Sequence, residues 1–229
     1  MSIKVIVAVP ENNTTVFEEV RTYCRDFTEL RLARVPRPPR PLTVDDLPQY
    51  RQSTLETVAP LIGDGVDLLI YGCTSAGFLA GPAGNDEFVT ALSDLVKAPV
   101  VSTANAMIQS LQESKAKKID LLSPYIGWKN QSLISYITAY GIEVNKSDSF
   151  ETKNPSELGL ITSEQVLERA LTMATDQSDT FFIACTQLPT RPIIVTLRAR
   201  LGRPVWSATR ATAWAALREL ELDAKPLAA

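Results

Sequence analysis

Two cysteines stand in matching contexts. Cys73 closes the apolar run Leu68-Leu69-Ile70-Tyr71-Gly72 and is followed by Thr74 and Ser75, while Cys185 closes Thr180-Phe181-Phe182-Ile183-Ala184 and is followed by Thr186. Each thiol falls where a strand gives way to a loop, among backbone N–H groups that favour the thiolate. A free thiol with a pKa near 8.5 is only about 3% ionised at neutral pH, so one unit of depression raises the reactive fraction about tenfold. Two such groups on opposite sides of a small cleft act as base or nucleophile on one face of a substrate and proton donor on the other. Stereochemical inversion, or isomerisation of a double bond beside a carboxylate, requires that pair. A single strand-end cysteine is ordinarily a core residue, but two at equivalent positions reverse the preference. The third cysteine, Cys24, lies in the helix-like stretch Glu18–Arg25 without a counterpart and reads as a packing residue.

The elements that must position these thiols alternate. Strands are expected at Lys4–Val9, Glu29–Val35, Val66–Tyr71, Val100–Ser102, Ile119–Ser123, Ile142–Lys146, Thr180–Ala184 and Val205–Ser207. Amphipathic spacing predicts helices over Ser53–Ile62, Asp86–Val96, Ala104–Glu113, Gln131–Tyr140, Ser163–Thr175, Pro192–Leu201 and Thr209–Leu220. This is the pattern of an α/β protein with parallel sheets. The two halves also echo one another. KVIVAVPENN at 4–13 matches KIDLLSPYIG at 118–127, DLLIYGCTS at 67–75 matches DTFFIACTQ at 179–187, and APVVSTANA at 98–106 matches RPVWSATRA at 203–211. A duplication in register predicts two similar Rossmann-like lobes with parallel four-stranded sheets, related by a pseudo-two-fold axis, with the active site in the cleft between them. The expected division is 1–103 plus 208–229 for a discontinuous first lobe and 104–207 for the second.

Composition narrows the chemistry. The chain has 229 residues and no histidine, which excludes His-based triads, His general bases and His-ligated zinc. With no Cys-x-x-Cys pair either, no metal site is expected. Twenty-three basic residues against 26 acidic ones leave a net charge of −3, so nucleic acid is not an expected partner. No window approaches a membrane span, and the odd number of scattered cysteines suits a reducing compartment, so no membrane association and a cytoplasmic location are expected. Self-association is left open.

Together the segments Val9-Pro10-Glu11-Asn12-Asn13-Thr14-Thr15, Tyr71-Gly72-Cys73-Thr74-Ser75-Ala76-Gly77-Phe78, Ser123-Pro124-Tyr125, Ala184-Cys185-Thr186-Gln187-Leu188-Pro189-Thr190 and Pro204-Val205-Trp206-Ser207 resemble the aspartate/glutamate/hydantoin racemase superfamily, within it the maleate isomerase and arylmalonate decarboxylase branch. The resemblance spans nearly the whole chain. It implies a cofactor-independent enzyme acting on a small carboxylate or dicarboxylate, with Cys73 as nucleophile and Cys185 handling a proton opposite. By the same resemblance Thr74, Ser75 and Tyr125 donate hydrogen bonds to a carboxylate, and Asn13 matches the family's asparagine after the first strand. Thr186 would serve the other carboxylate by repeat symmetry with Thr74.

The decarboxylases of this branch lack the first cysteine, so the presence of Cys73 points to cis–trans isomerisation of maleate, with racemisation of an aspartate- or glutamate-type amino acid as the alternative. An arylmalonate-type decarboxylase and a non-catalytic ligand-binding protein rank below both. Three features depart from the maleate isomerase pattern, one being that no clear equivalent of its asparagine stands in Leu158–Ser163. Ala208-Thr209-Arg210 replaces Ser-Asn-Gln after the last strand, and Pro36-Arg37-Pro38-Pro39-Arg40-Pro41 is unusual. Arg210 is read as solvated or, more sharply, as contacting an anionic substrate. The proline run is read as an extended surface connection or, more sharply, as a lid.

Overall fold

The computed structural model describes residues 2–227. Met1, Ala228 and Ala229, which bound the expected first lobe, lie outside the described residues. One parallel sheet comprises β1 (Lys4–Pro10), β2 (Glu29–Val35), β3 (Leu68–Tyr71) and β4 (Val100–Ser102) in the order β2-β1-β3-β4. The second, also parallel, comprises β5 (Lys118–Tyr125), β6 (Glu143–Thr152), β7 (Thr180–Ile183) and β8 (Val205–Ser207) in the order β6-β5-β7-β8. The strand order of the first half is repeated in the second, so the echo in the sequence is a duplication of topology.

Helices cover these sheets: α1 (Val16–Tyr23), α2 (Leu47–Val58), α3 (Thr74–Leu79), α4 (Gly81–Val96), α5 (Thr103–Glu113), α6 (Gly127–Thr138), α7 (Ser163–Met173), α8 (Ile194–Leu201) and α9 (Ala208–Glu219). The central strands are apolar throughout because helices shield both faces, and Val5 to Val9 and Leu68 to Ile70 are wholly buried.

Several elements differ from the sequence expectation, α4 and α6 beginning earlier at Gly81 and Gly127, and three differ for identifiable reasons. β6 continues to Thr152 rather than stopping at Lys146; its outer half, Ser147-Asp148-Ser149, lacks apolar alternation, but an edge strand needs only the backbone groups of its single neighbour, β5. The helix α2 begins at Leu47 rather than Ser53, since Pro48 in a first turn forfeits no hydrogen bond. The short α3 is buried at every position and so has no amphipathic period to detect. It also lies close to α5: a Cβ on Gly77 would strike the Ala104 Cβ and come within 2.9 Å of Asn85 Oδ1.

The matched segments after β4 and β8 do the same work in each half. The hydroxyl of Ser102 accepts the Asn105 N–H (3.1 Å) to cap α5, and that of Ser207 accepts the Arg210 N–H (3.2 Å) to cap α9. These helices pack on each other across the lobes, joined by a 2.9 Å hydrogen bond between the Thr103 and Thr212 hydroxyls. Cys24 is wholly buried, with Sγ 3.7 Å from the Ala213 carbonyl against α9, and burial pushes its thiol up to about 12. It packs.

The loop after β1 is stitched to the loop after β7. The Thr14 N–H donates to Gln187 Oε1 (2.9 Å), Gln187 Nε2 donates to the Thr14 hydroxyl (3.0 Å), and the Thr15 hydroxyl donates to the Gln187 carbonyl (2.9 Å). Beside them Glu19 of α1, only 7% exposed, accepts the Thr190 and Arg191 N–H groups on one oxygen, at 2.9 and 2.8 Å. Burial raises Glu19 to about 7 despite those bonds. A carboxyl that holds its proton more tightly when folded contributes most stability below its free value and loses it as pH climbs from about 4.5 through 7. Glu19→Gln retains the accepting oxygen and never ionises. In urea unfolding it is expected to match the parent at pH 4 and exceed it by about 1–3 kcal/mol at pH 8; a less stable variant at pH 8 would contradict this account.

Candidate active site

The carboxyl ends of both central strands point into the cleft between the lobes, the usual ligand position of open parallel sheets. On the first lobe, Gly72 lets the chain leave β3 tightly against β1. Its N–H donates to the Ala8 carbonyl at 2.7 Å, and a Cβ there would come within 3.1 Å of that oxygen and 3.3 Å of Val9 Cγ1. The next residue, Cys73, caps α3. On the second lobe, Cys185 leads into a turn rather than a helix and has φ of 86°, a left-handed conformation that costs a non-glycine residue about 1 kcal/mol or more. It is held by bonds on either side, from the Ala184 N–H to the Leu122 carbonyl (2.8 Å) and from the Leu188 N–H to the Cys185 carbonyl (3.3 Å).

All seven residues singled out from the sequence, Asn13, Cys73, Thr74, Ser75, Tyr125, Cys185 and Thr186, line one cavity. It offers about 50 Å³ to the centre of a water-sized sphere. Thr186 is the crossing point of the lobes: its N–H donates to the Thr74 hydroxyl (3.3 Å), its own hydroxyl donates to the Gly72 carbonyl (2.9 Å), and it accepts from Asn13 Nδ2 (3.1 Å). The Asn13 carbonyl oxygen accepts the Thr15 and Val16 N–H groups, both at 3.0 Å. Asn13 and Thr186 are therefore largely engaged by the protein itself, whereas the Thr74 hydroxyl, already accepting, keeps its proton to donate.

Tyr125, at the end of β5, crosses to the other lobe, where its ring meets Phe78 of α3 edge to face at 5.3 Å. Burial first, then the neighbouring Cys185 thiol, raises Tyr125 well above the usual phenol value, and its hydroxyl interacts with both Cys185 and Thr74. Ser75 Oγ lies 3.9 Å from Cys73 Sγ. Burial raises Cys185, against opposing contributions from the Gln187 N–H, the Tyr125 hydroxyl and the Lys129 ammonium. At neutral pH Cys185 is a protonated thiol, the form that donates.

Lys129 and Arg37 also line the cavity and were not singled out from the sequence. Lys129, in the first turn of α6, had only its place four residues after the β5 end as a signal. Arg37 belongs to the proline run, which is a surface connection that also supplies part of a cavity wall: Pro36, Pro39 and Arg40 are exposed, while Arg37 and Pro41 line the cavity. The run is fixed by Arg40, which donates to both oxygens of Asp46 at 2.7 Å and, with the Thr43 donors, holds that carboxyl down to about 2. Arg210 corrects both readings made of it. It is buried away from the cavity, its Nε donates to the Leu227 carbonyl (3.0 Å), and its guanidinium lies 5.6 Å over the Trp206 ring. Among the described residues no group of three or more His, Cys, Asp or Glu side chains could hold a metal, and no helix is long and apolar enough to cross a membrane.

Two similar parallel lobes, each offering a thiol to one shared cleft, define a two-lobed α/β protein of the racemase-like class. The chain belongs to the arylmalonate decarboxylase family, whose model matches residues 45–229, on the branch of the aspartate/glutamate racemase superfamily that also holds the maleate isomerases. A maleate isomerase of Geobacillus stearothermophilus is 29% identical over 93% of this chain and 90% of its own. A maleate isomerase variant of Pseudomonas putida S16 solved with maleate superposes with a TM-score of 0.89, at 23% identity over 97% of this chain and 93% of that one. A Nocardia farcinica maleate cis-trans isomerase mutant with a covalently bound succinylcysteine intermediate gives 0.89, at 22% identity over 97% and 94% of the two chains. These structures share the fold.

Since the Tyr125 hydroxyl favours the Cys185 thiolate, Tyr125→Phe is expected to raise the pH midpoint for iodoacetamide labelling of Cys185, read by mass spectrometry of the labelled peptide. An unchanged midpoint would show that the two groups do not interact.

Proposed function

We propose that this protein is a cofactor-independent cysteine isomerase of a small carboxylate, and that cis–trans isomerisation of maleate to fumarate is its activity. The observation that carries the reading is the pair of thiols, Cys73 and Cys185, on matching strand ends facing one small cavity with Thr74, Ser75 and Tyr125. The succinylcysteine intermediate of the Nocardia farcinica enzyme supports the same chemistry for this chain.

In this mechanism the Cys73 thiolate adds to one carbon of the cis double bond, forming a C–S bond while the π electrons move to the neighbouring carbon. The adjacent carboxylate takes up that charge as an enediolate, stabilised by the preorganised hydroxyls of Thr74, Ser75 and Tyr125. Cys185, protonated because it is buried, delivers its proton to the carbanionic carbon. The product is a succinyl thioether whose central bond is single and rotates. Cys185 then removes a proton from that carbon, the C–S bond breaks, and fumarate leaves with Cys73 again a thiolate. Atoms and electrons balance without an oxidant or a cofactor.

The lobe division accompanying this reading assigns residues 1–103 and 208–229 to one body and 104–207 to the other, supported by the packing of α9 against α1 and β4. The cysteine chemistry, which needs reduced thiols, is consistent with a cytoplasmic location; all three cysteines are free.

The deciding measurement is proton NMR of the reduced protein with maleate in deuterated buffer beside a Cys73→Ser control. A fumarate vinyl signal should appear with the unmodified protein and not with the control. Iodoacetamide should abolish it, more slowly when maleate is present. An unchanged vinyl region would reject maleate as substrate.

A further inference from the structure

Resting on the reading of this cavity as a small-carboxylate site, we propose that Lys129, with Arg37 beside it, is the specificity-determining cation that binds a second anionic group and so restricts the site to dianions. Lys129 is 4% exposed and lines the cavity. Its Nζ lies 5.4 Å from the centroid of the Tyr125 ring, and among the described residues its side chain makes no hydrogen bond or ion pair. An ammonium that lines a cavity without a counter-ion gains one when an anion arrives.

The charged surroundings leave that role open. Arg37 faces the same cavity from the segment after β2, held by its own loop: Nε donates to the Pro38 carbonyl (3.4 Å) and Nη2 to the Arg40 carbonyl (2.9 Å). Of the acids in this neighbourhood, Asp46 is taken by Arg40 and Thr43, and Glu11 accepts the Arg37 N–H (3.2 Å). The remaining titratable groups near Lys129 are Cys73 of the first lobe and Cys185 and Tyr125 of the second, while Glu151 of β6 accepts the Gly127 N–H at the start of α6 (3.1 Å). Two cations thus meet a ligand with no free carboxylate between them.

The neutral donors point to the same conclusion. Thr74, Ser75 and Tyr125 can serve one carboxylate, but the Thr186 hydroxyl donates to the Gly72 carbonyl and Asn13 is occupied on its carbonyl side. A second carboxylate would find one amide N–H of Asn13 and the two cations Lys129 and Arg37. An uncharged alkyl substituent pressed against this ammonium would leave the charge unpaired, which selects against it. Burial and Arg37 lower Lys129 to about 8, so the cation is present at pH 7 and fades above pH 8.

The test is calorimetric titration of the full chain with succinate, an unreactive dianion, and with succinamate, its monoamide. Lys129→Met is expected to weaken succinate binding by about 30-fold or more and succinamate by less than about threefold. Lys129→Arg should retain succinate affinity, and the unmodified protein should lose it between pH 7 and 9. Equal succinate binding by the parent and Lys129→Met, or no preference for succinate over succinamate in the parent, would overturn the proposal. So would a Lys129→Met effect confined to Cys185 alkylation. If Lys129→Met does not fold, Lys129→Arg and the pH titration of the parent decide. No turnover is needed, so succinate selectivity without maleate isomerisation would defeat the isomerase reading alone, and isomerisation without selectivity would defeat this one alone.

Discussion

The architecture turns on the hydrogen bonds of one threonine. Thr186 reaches from the second lobe into the first, where its hydroxyl meets the Gly72 carbonyl and its N–H meets the Thr74 hydroxyl. Those contacts lie immediately beside both cysteines, so the register between lobes and the separation of the thiols are set by the same atoms. Gln187 and Glu19 extend the seam outward by bonding the Thr14, Thr190 and Arg191 backbone. Buried bonds of this kind are worth about 1 kcal/mol each, but leaving any partner unpaired costs more, which makes the docking specific.

Around this seam the two halves have diverged in a way that suits unequal roles. Cys73 leads straight into a helix, α3, whereas Cys185 enters a turn at a strained φ and feels the Tyr125 hydroxyl and, through space, the Lys129 charge. Burial keeps the second thiol protonated. A duplicated scaffold therefore places two chemically similar groups in different surroundings.

Much of this was legible from residue order. The β-branched runs, their spacing and the repeated Cys-Thr dipeptides determined parallel strands, a duplication and two strand-end thiols, because those features depend on local periodicity and on similarity between segments. The seven residues drawn from the motifs do line one cavity. Edge strand β6 escaped in its polar half because pairing with β5 requires backbone groups and not side chains. The buried α3 escaped because it has no exposed face to create a period.

Other features arise only when the chain is folded. Arg37 sits in a proline run that reads as solvent-facing, yet the pairing of Arg40 with Asp46 turns part of that run into a wall of the cleft. Arg210, beside a strand-end motif, reads as available to an anion, yet the C-terminal segment and Trp206 enclose it. Lys129 looks like any helix-start lysine until the lobes close over it. The sequence by itself determined which groups could react and which strands carry them, since those follow from local chemistry and repetition. The tertiary structure decided which charges line the cavity, because burial and pairing of a charge depend on residues far apart in the chain.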